Sequence, residues 1–197
     1  MKWLPGALVL VLGLPVSGQV IEFETNGLKY QTVTKSGVTV MFALLPPHVQ
    51  GYTIIQVAVS NGSTGPYTIR PEDFSYVRDG GDALPAASAH SVIAMLIEKG
   101  SRSDVIKLVG TYETAFYGMA RMRSTNGYEQ RRQAALAETS TKLKAAATAS
   151  ALALVQTKLP PGESTDGAVF IPTDGKPLGH GHLVVRTNTD VFEFREE

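Results

Sequence analysis

The chain of 197 residues contains no cysteine. This excludes disulfide bonds, thiolate metal ligands, cysteine nucleophiles and a lipid-carrying cysteine. The chain also has no net charge, since 18 Lys and Arg balance 18 Asp and Glu. We therefore expect no binding to nucleic acid. The chain has no Gly-x-Ser-x-Gly elbow, phosphate-binding loop, dinucleotide fingerprint or His-Glu-x-x-His helix. We therefore predict that the protein is not an enzyme and uses no cofactor.

The first eighteen residues have the pattern of a secretory signal peptide. Lys2 supplies a positive charge, an apolar run extends from Trp3 to Val16, and Val16 and Gly18 occupy the small-residue positions before a cleavage point. The run is shorter than the roughly 20 residues that span a bilayer. We predict cleavage after Gly18 and export to the periplasm or the cell surface. A bacterial envelope suits a cysteine-free exported chain best.

Two zones, residues 19–84 and 159–197, have the pattern of strands and turns. Val38 to Leu44 and Tyr52 to Ser60 alternate with period two, as half-buried strands do. Turn signals stand around them at Ser36-Gly37, Pro46-Pro47 and Asn61-Gly62. Further predicted strands are Gln19 to Glu24, Leu28 to Thr34, Ala168 to Ile171, His182 to Arg186 and Val191 to Phe194.

The zone between them, at about 87–157, has helical periodicity. Apolar residues recur every three or four positions from Val105 to Met119, and an alanine-rich stretch extends from Tyr128 to about Gln156. Asn126-Gly127 separates the two stretches, which predicts a helical hairpin, and Ala89 to Glu98 is a shorter helix candidate. Because strands of similar character lie on both sides, we predict one antiparallel β-sandwich in 19–197, mainly β, interrupted by this α insertion.

Two stretches resemble a known kind of domain. Ile69 to Gly81 contains a proline, acidic residues and an aromatic strand start, and Leu159 to Ile171 contains a Pro-Gly turn and a Gly-x-Val-Phe strand. Together they cover about a third of the chain and are similar to immunoglobulin-like (telokin-like) β-sandwich domains of exported bacterial proteins of unknown function. The resemblance implies an immunoglobulin-like sandwich that serves as a non-enzymatic envelope or interaction module. The helical insertion departs from the plain sandwich.

Charge is unevenly distributed along the chain. Residues 91–158 hold ten Lys and Arg against five Asp and Glu, whereas 159–197 hold three against seven. Arginine suits the recognition of carboxylate and phosphate groups. The predicted partner-binding residues are the arginines around the inter-helix turn, Arg121, Arg123, Arg131 and Arg132. We expect another envelope protein as partner, with peripheral contact to an anionic membrane surface as a further option, and a plain solvated helix face as the alternative.

One short stretch, Gly179-His180-Gly181-His182, hints at metal. On a strand, His180 and His182 would point to the same face, and imidazole is a common transition-metal ligand. A third ligand would have to come from elsewhere, with His48, His90 and Asp174 as the candidates. An exposed glycine-rich turn without metal is the simpler interpretation.

These features predict a non-enzymatic exported bacterial envelope protein that acts as a protein-interaction or structural module. Binding would use the helical insertion or an exposed sheet edge. The alternative is a periplasmic module that binds a small ligand or an anion between the helices and the sandwich. A hydrolase is the least favoured hypothesis, and the oligomeric state stays open.

Overall fold

A computed structural model describes residues 19–118 and 127–195 of the chain. This part is mainly antiparallel β structure with four α-helices. The strands are β1 (Val20–Thr25), β2 (Leu28–Lys35), β3 (Val38–Val49), β4 (Tyr52–Asn61), β5 (Tyr67–Ile69), β6 (Phe74–Arg78), β7 (Ala83–Pro85), β8 (Thr157–Leu159), β9 (Ser164–Pro172), β10 (Gly181–Arg186) and β11 (Val191–Glu193). The helices are α1 (Ala89–Lys99), α2 (Arg102–Gly118), α3 (Tyr128–Ala137) and α4 (Thr141–Leu152).

Five strands form a central sheet in the order β1-β2-β3-β4-β9. Tyr30, Ile54 and Phe170 on one face belong to a core cluster shared with the helices. Phe42 and Val57 on the other face belong to a second cluster, shared with the sheet β11-β10-β6-β7. Residues 53–59 of β4 are therefore all buried. The prediction of a half-buried β4 is wrong, because both faces of the central sheet are covered.

The helical region differs from the predicted hairpin. The long second helix is divided, since α3 ends at Ala137 and α4 begins at Thr141. Glu138 and Ser140 have ψ of 139° and 129°, outside the helical range, and serine favours the position before a new helix. α4 contacts each of the other three helices, and its buried alanines allow this close approach. In the described part of the chain, a group of four helices therefore covers one face of the central sheet.

Pro46-Pro47 lies within a strand and does not form the predicted turn. The pairing of β3 with β4 shifts register between Leu44 and His48, so that β3 bulges at the two prolines. Proline has no N–H to donate to a ladder, which is why sheets accommodate it at bulges and edges. The turn comes after His48, at Gln50-Gly51. The predicted turn at Ser36-Gly37 is confirmed between β2 and β3.

Candidate functional site

The four predicted partner-binding arginines do not form a described surface cluster. Arg121 and Arg123 lie outside the described residues. Arg132 makes an ion pair with Glu113, which joins α3 to α2, and only 28% of its side chain is exposed. Arg131 is half-buried. Arg132 is therefore a structural link between two helices. The predicted partner-binding surface depends on Arg121 and Arg123, which lie outside the described residues.

The two histidines of the glycine-rich stretch do not gather metal ligands. Nowhere in 19–118 or 127–195 do three or more His, Cys, Asp or Glu side chains group so as to hold a metal ion. Arg195 Nε donates to His182 Nε2 at 3.2 Å, so a cation faces this ring nitrogen. Burial, together with the Arg195 charge, lowers the pKa of His182 from its usual value. Both effects favour the neutral form of the His182 ring over the imidazolium.

A cleft of about 840 Å³ opens between the central sheet and the second sheet. Its walls are the start of β2 with the neighbouring part of β3, and the end of β6 with the start of β10. The apolar lining includes Leu28, Phe42, Leu44 and Tyr76. The charged and imidazole groups at the cleft are Lys29, Arg78, Asp79, His180, His182 and Arg195.

Two of these cations are already paired with carboxylates. Lys29 Nζ is 2.8 Å from Glu22 Oε2, and Arg195 Nε is 3.3 Å from Glu193 Oε2. Arg78 differs, since within the described ranges it forms no ion pair. Its Nε donates to the carbonyl oxygen of Leu178 at 3.0 Å, which leaves the two Nη groups of the guanidinium for other partners. Among the described groups of the cleft, Arg78 is thus the cation that lacks a carboxylate partner.

The glycine-rich turn fixes the position of Arg78. Gly181 pairs with Arg78, and a Cβ at Gly181 would stand 2.9 Å from Arg78 Cα and collide with the carbonyl oxygen of Val77. Tyr76 donates its hydroxyl proton to the carbonyl oxygen of Gly179 at 2.9 Å, and burial raises the pKa of this phenol. These contacts make the predicted metal stretch a rigid wall of the cleft. The sequence signal for Arg78 is its place two residues after Tyr76, on the same face of β6 as Phe74.

The two edge strands of the central sheet differ in whether their outer backbone groups are hydrogen-bonded. The outer edge of β9 is covered, because Ala87 N donates to Phe170 O at 2.8 Å and Leu154 N donates to Ala168 O at 2.9 Å. These two residues precede and follow the helical region, so the helices are attached to the sheet at this edge. At the opposite edge, β1 pairs only with β2 among the described strands.

The backbone of β1 has a defined open side. Asn26 and Gly27 have φ of 51° and 73°, which is a type I′ turn joining β1 to β2, and an Asn-Gly pair is the strongest short signal for it. The closing pair of such a hairpin, Thr25 and Leu28, exchanges both hydrogen bonds, and pairs alternate from there. The N–H and C=O groups of Glu22 and Glu24 therefore point away from β2. Ile21 and Phe23 are 58% and 39% exposed.

Over the described ranges, none of the helices has the length and apolarity to cross a bilayer. Comparison of the chain with models of protein families, with curated proteins and with solved structures finds no match to any of them.

Proposed function

We propose that this chain is a non-enzymatic module of the bacterial envelope that binds another protein by accepting one of its strands at β1. The observation that carries the proposal is the contrast between the covered β9 edge and the open β1 edge. An unpaired edge offers a row of hydrogen-bonding groups to an extended segment of a partner. The signal-like residues 1–18 and the lack of cysteine support the location in the envelope.

The charges and apolar groups of β1 specify the partner strand. Glu22 and Glu24 lie on one face of β1, and Ile21 and Phe23 on the other. The complementary segment alternates basic residues beside the glutamates with apolar residues beside Ile21 and Phe23. A second copy of this chain fits poorly at this edge. If two β1 strands paired antiparallel, the two registers with the longest overlap would place a glutamate opposite a glutamate, and like charges in that position are destabilising.

We also infer that the two packed sheets form an immunoglobulin-like sandwich with the helices inserted, as the sequence resemblance implies. Support comes from the core cluster that both sheets share. Further support comes from Asn61, whose Nδ2 donates to the carbonyl oxygen of Leu159 at 2.9 Å. This bond joins the strand that precedes one of the two resembling stretches to the first residue of the other.

A direct test uses a capped hexapeptide of alternating Lys and Val and two variants at one position. Glu24→Pro removes the outward N–H that the partner strand needs, and an edge strand tolerates proline there. Glu24→Ala removes the same carboxylate but keeps the N–H. We expect calorimetry to show peptide binding that Glu24→Pro weakens about tenfold or more and Glu24→Ala weakens much less. Equal binding by wild type and Glu24→Pro would refute strand addition.

The same pair of variants identifies the natural partner. The tagged protein is crosslinked in intact cells, and the proteins that co-purify from the envelope fraction are identified. We expect one recurrent protein in wild type and Glu24→Ala that is lost in Glu24→Pro. A partner retained by Glu24→Pro and lost on charge reversal of Arg131 would instead assign binding to the helices.

A further inference from the structure

The structure assigns to the cleft beside Arg78 a second binding site, for a small organic carboxylate that carries an apolar or aromatic group. This inference does not rest on the proposed binding at β1. It rests on three features of the cleft: an arginine without an anion, an apolar wall beside it, and a rigid turn that positions it.

The first feature is the electrostatics of Arg78. Its Nε is occupied by the Leu178 carbonyl oxygen, and the other two cations of the cleft have Glu22 and Glu193 as partners. An incoming carboxylate would therefore pair with the free Nη side of Arg78. Such an end-on pair is charge-assisted, and a partly desolvated cleft strengthens it relative to an exposed surface pair.

The charge balance of the cleft favours a single negative charge over two. Within residues 19–118 and 127–195, Arg78 has no carboxylate partner, and Asp79 contributes a negative charge to the same lining. Burial and the Arg195 charge disfavour the imidazolium form of His182, because they lower its pKa. A dianionic phosphate would meet one available cation and one repelling carboxylate. A monoanionic carboxylate is the better match.

The apolar wall of the cleft favours a ligand that carries an apolar group beside its negative charge. Phe42 and Tyr76 are almost fully buried and form the base of the cleft, whereas Leu44 is 41% exposed at its mouth. Covering Leu44 with a ligand ring removes apolar surface from water, which is favourable. The volume of about 840 Å³ lies within the range of small-molecule sites. The wall and Arg78 together select an amphipathic anion.

The site is held in place before any ligand arrives. The turn at Gly179 and Gly181 is packed against β6, and it supplies carbonyl groups to both Arg78 and Tyr76. Preorganised groups of this kind lose little conformational freedom on binding.

The test is a titration with 3-phenylpropionate, followed by calorimetry or by NMR shifts. The neutral amide of the same acid and inorganic phosphate are the ligand controls. Arg78→Gln is the main variant. Arg186→Gln is its matched control, because Arg186 is an exposed arginine at the other end of β10. Leu44→Glu, at an exposed position, adds a repelling carboxylate at the mouth and covers the case in which Arg78→Gln fails to fold.

We expect 3-phenylpropionate to bind better than both its amide and phosphate. Arg78→Gln and Leu44→Glu should each weaken binding about tenfold or more, and Arg186→Gln less than about twofold. Four results would overturn the site: no binding of the acid up to about 10 mM, equal binding of the amide, tighter binding of phosphate, or unchanged binding in folded Arg78→Gln and Leu44→Glu.

Discussion

Asn61 joins the end of β4 to the loop that follows it and to the end of β8. Its side-chain Nδ2 donates to the carbonyl oxygens of Gly65 and Leu159, at 2.8 and 2.9 Å, and its Oδ1 accepts from Ser63 N at 3.0 Å. The residue has no exposed surface. The spacing Asn61-Gly62-Ser63 matches a glycosylation acceptor, but in the folded protein this side chain is buried and fully bonded.

Loss of the Asn61 side chain should destabilise the protein strongly. Asn61→Ala removes several hydrogen bonds and leaves buried carbonyl groups without a donor, so we expect the free energy of unfolding to fall by about 3 kcal/mol. Urea denaturation followed by circular dichroism measures this. The control is Asn188→Ala, at an exposed turn position, with an expected change within about 0.5 kcal/mol. Similar losses in both variants would contradict the assigned role.

At the scale of elements, the contact between α2 and α3 depends in part on Arg132 and Glu113. Both side chains are about one third exposed or less, so the pair is partly shielded from water. The sequence pattern predicted Arg132 as part of a partner-binding surface. In the structure, reversal of this one charge places a carboxylate against Glu113.

We expect Arg132→Glu to lower the free energy of unfolding by about 1 kcal/mol or somewhat more, because an attractive pair becomes a repulsive one. The double variant Arg132→Glu with Glu113→Arg restores the attraction with opposite signs and should recover most of the stability. Thermal unfolding of the wild type, the two single variants Arg132→Glu and Glu113→Arg, and the double variant gives the coupling energy between the two residues. Full additivity of the two changes would show that the ion pair contributes nothing.

Most elements were predictable from sequence, and the exceptions have physical causes. Period-two alternation located β3, and Ser36-Gly37 marked the turn between β2 and β3. The break between α3 and α4 was missed because alanines are frequent on both sides of it, and Ser140 is a weaker signal than proline or glycine. The coverage of β4 on both faces was missed because Gln56 and Ala58, on the face that lies against the helices, are residue types that can also lie against water.

The candidate sites were harder to predict because they depend on which strands become neighbours. The turn at Asn26-Gly27 marks a hairpin, yet only the strand order shows that β1 is an open edge. Arg78 and the Gly179–Gly181 turn are about 100 residues apart in the chain. The two histidines were predicted as metal ligands because imidazole binds transition metals. In the structure, the glycines beside them position Arg78 and Tyr76.

At the scale of the whole molecule, the prediction of export depends on residues 1–18. If they act as a signal peptide, N-terminal sequencing of the protein from the envelope fraction should begin at Gln19. Leu10→Arg, which places a charge in the apolar run, should block export and leave uncleaved precursor in the cytoplasm. Lys29→Arg, in the exported part, is the control and should not change the distribution. A protein from the envelope fraction that still begins at Met1 would contradict cleavage.

The pairing of β4 with β9 has a consequence for the time the chain needs to fold. These neighbours in the central sheet are more than 100 residues apart in sequence, with all four helices between them. Contacts of such long range make folding slow, on the order of milliseconds to seconds, because a long loop must close before any contact forms. The sheet cannot be completed until β9 has been made. If the chain is exported as the sequence predicts, this delay leaves time for it to pass through a translocation channel before the central sheet is complete.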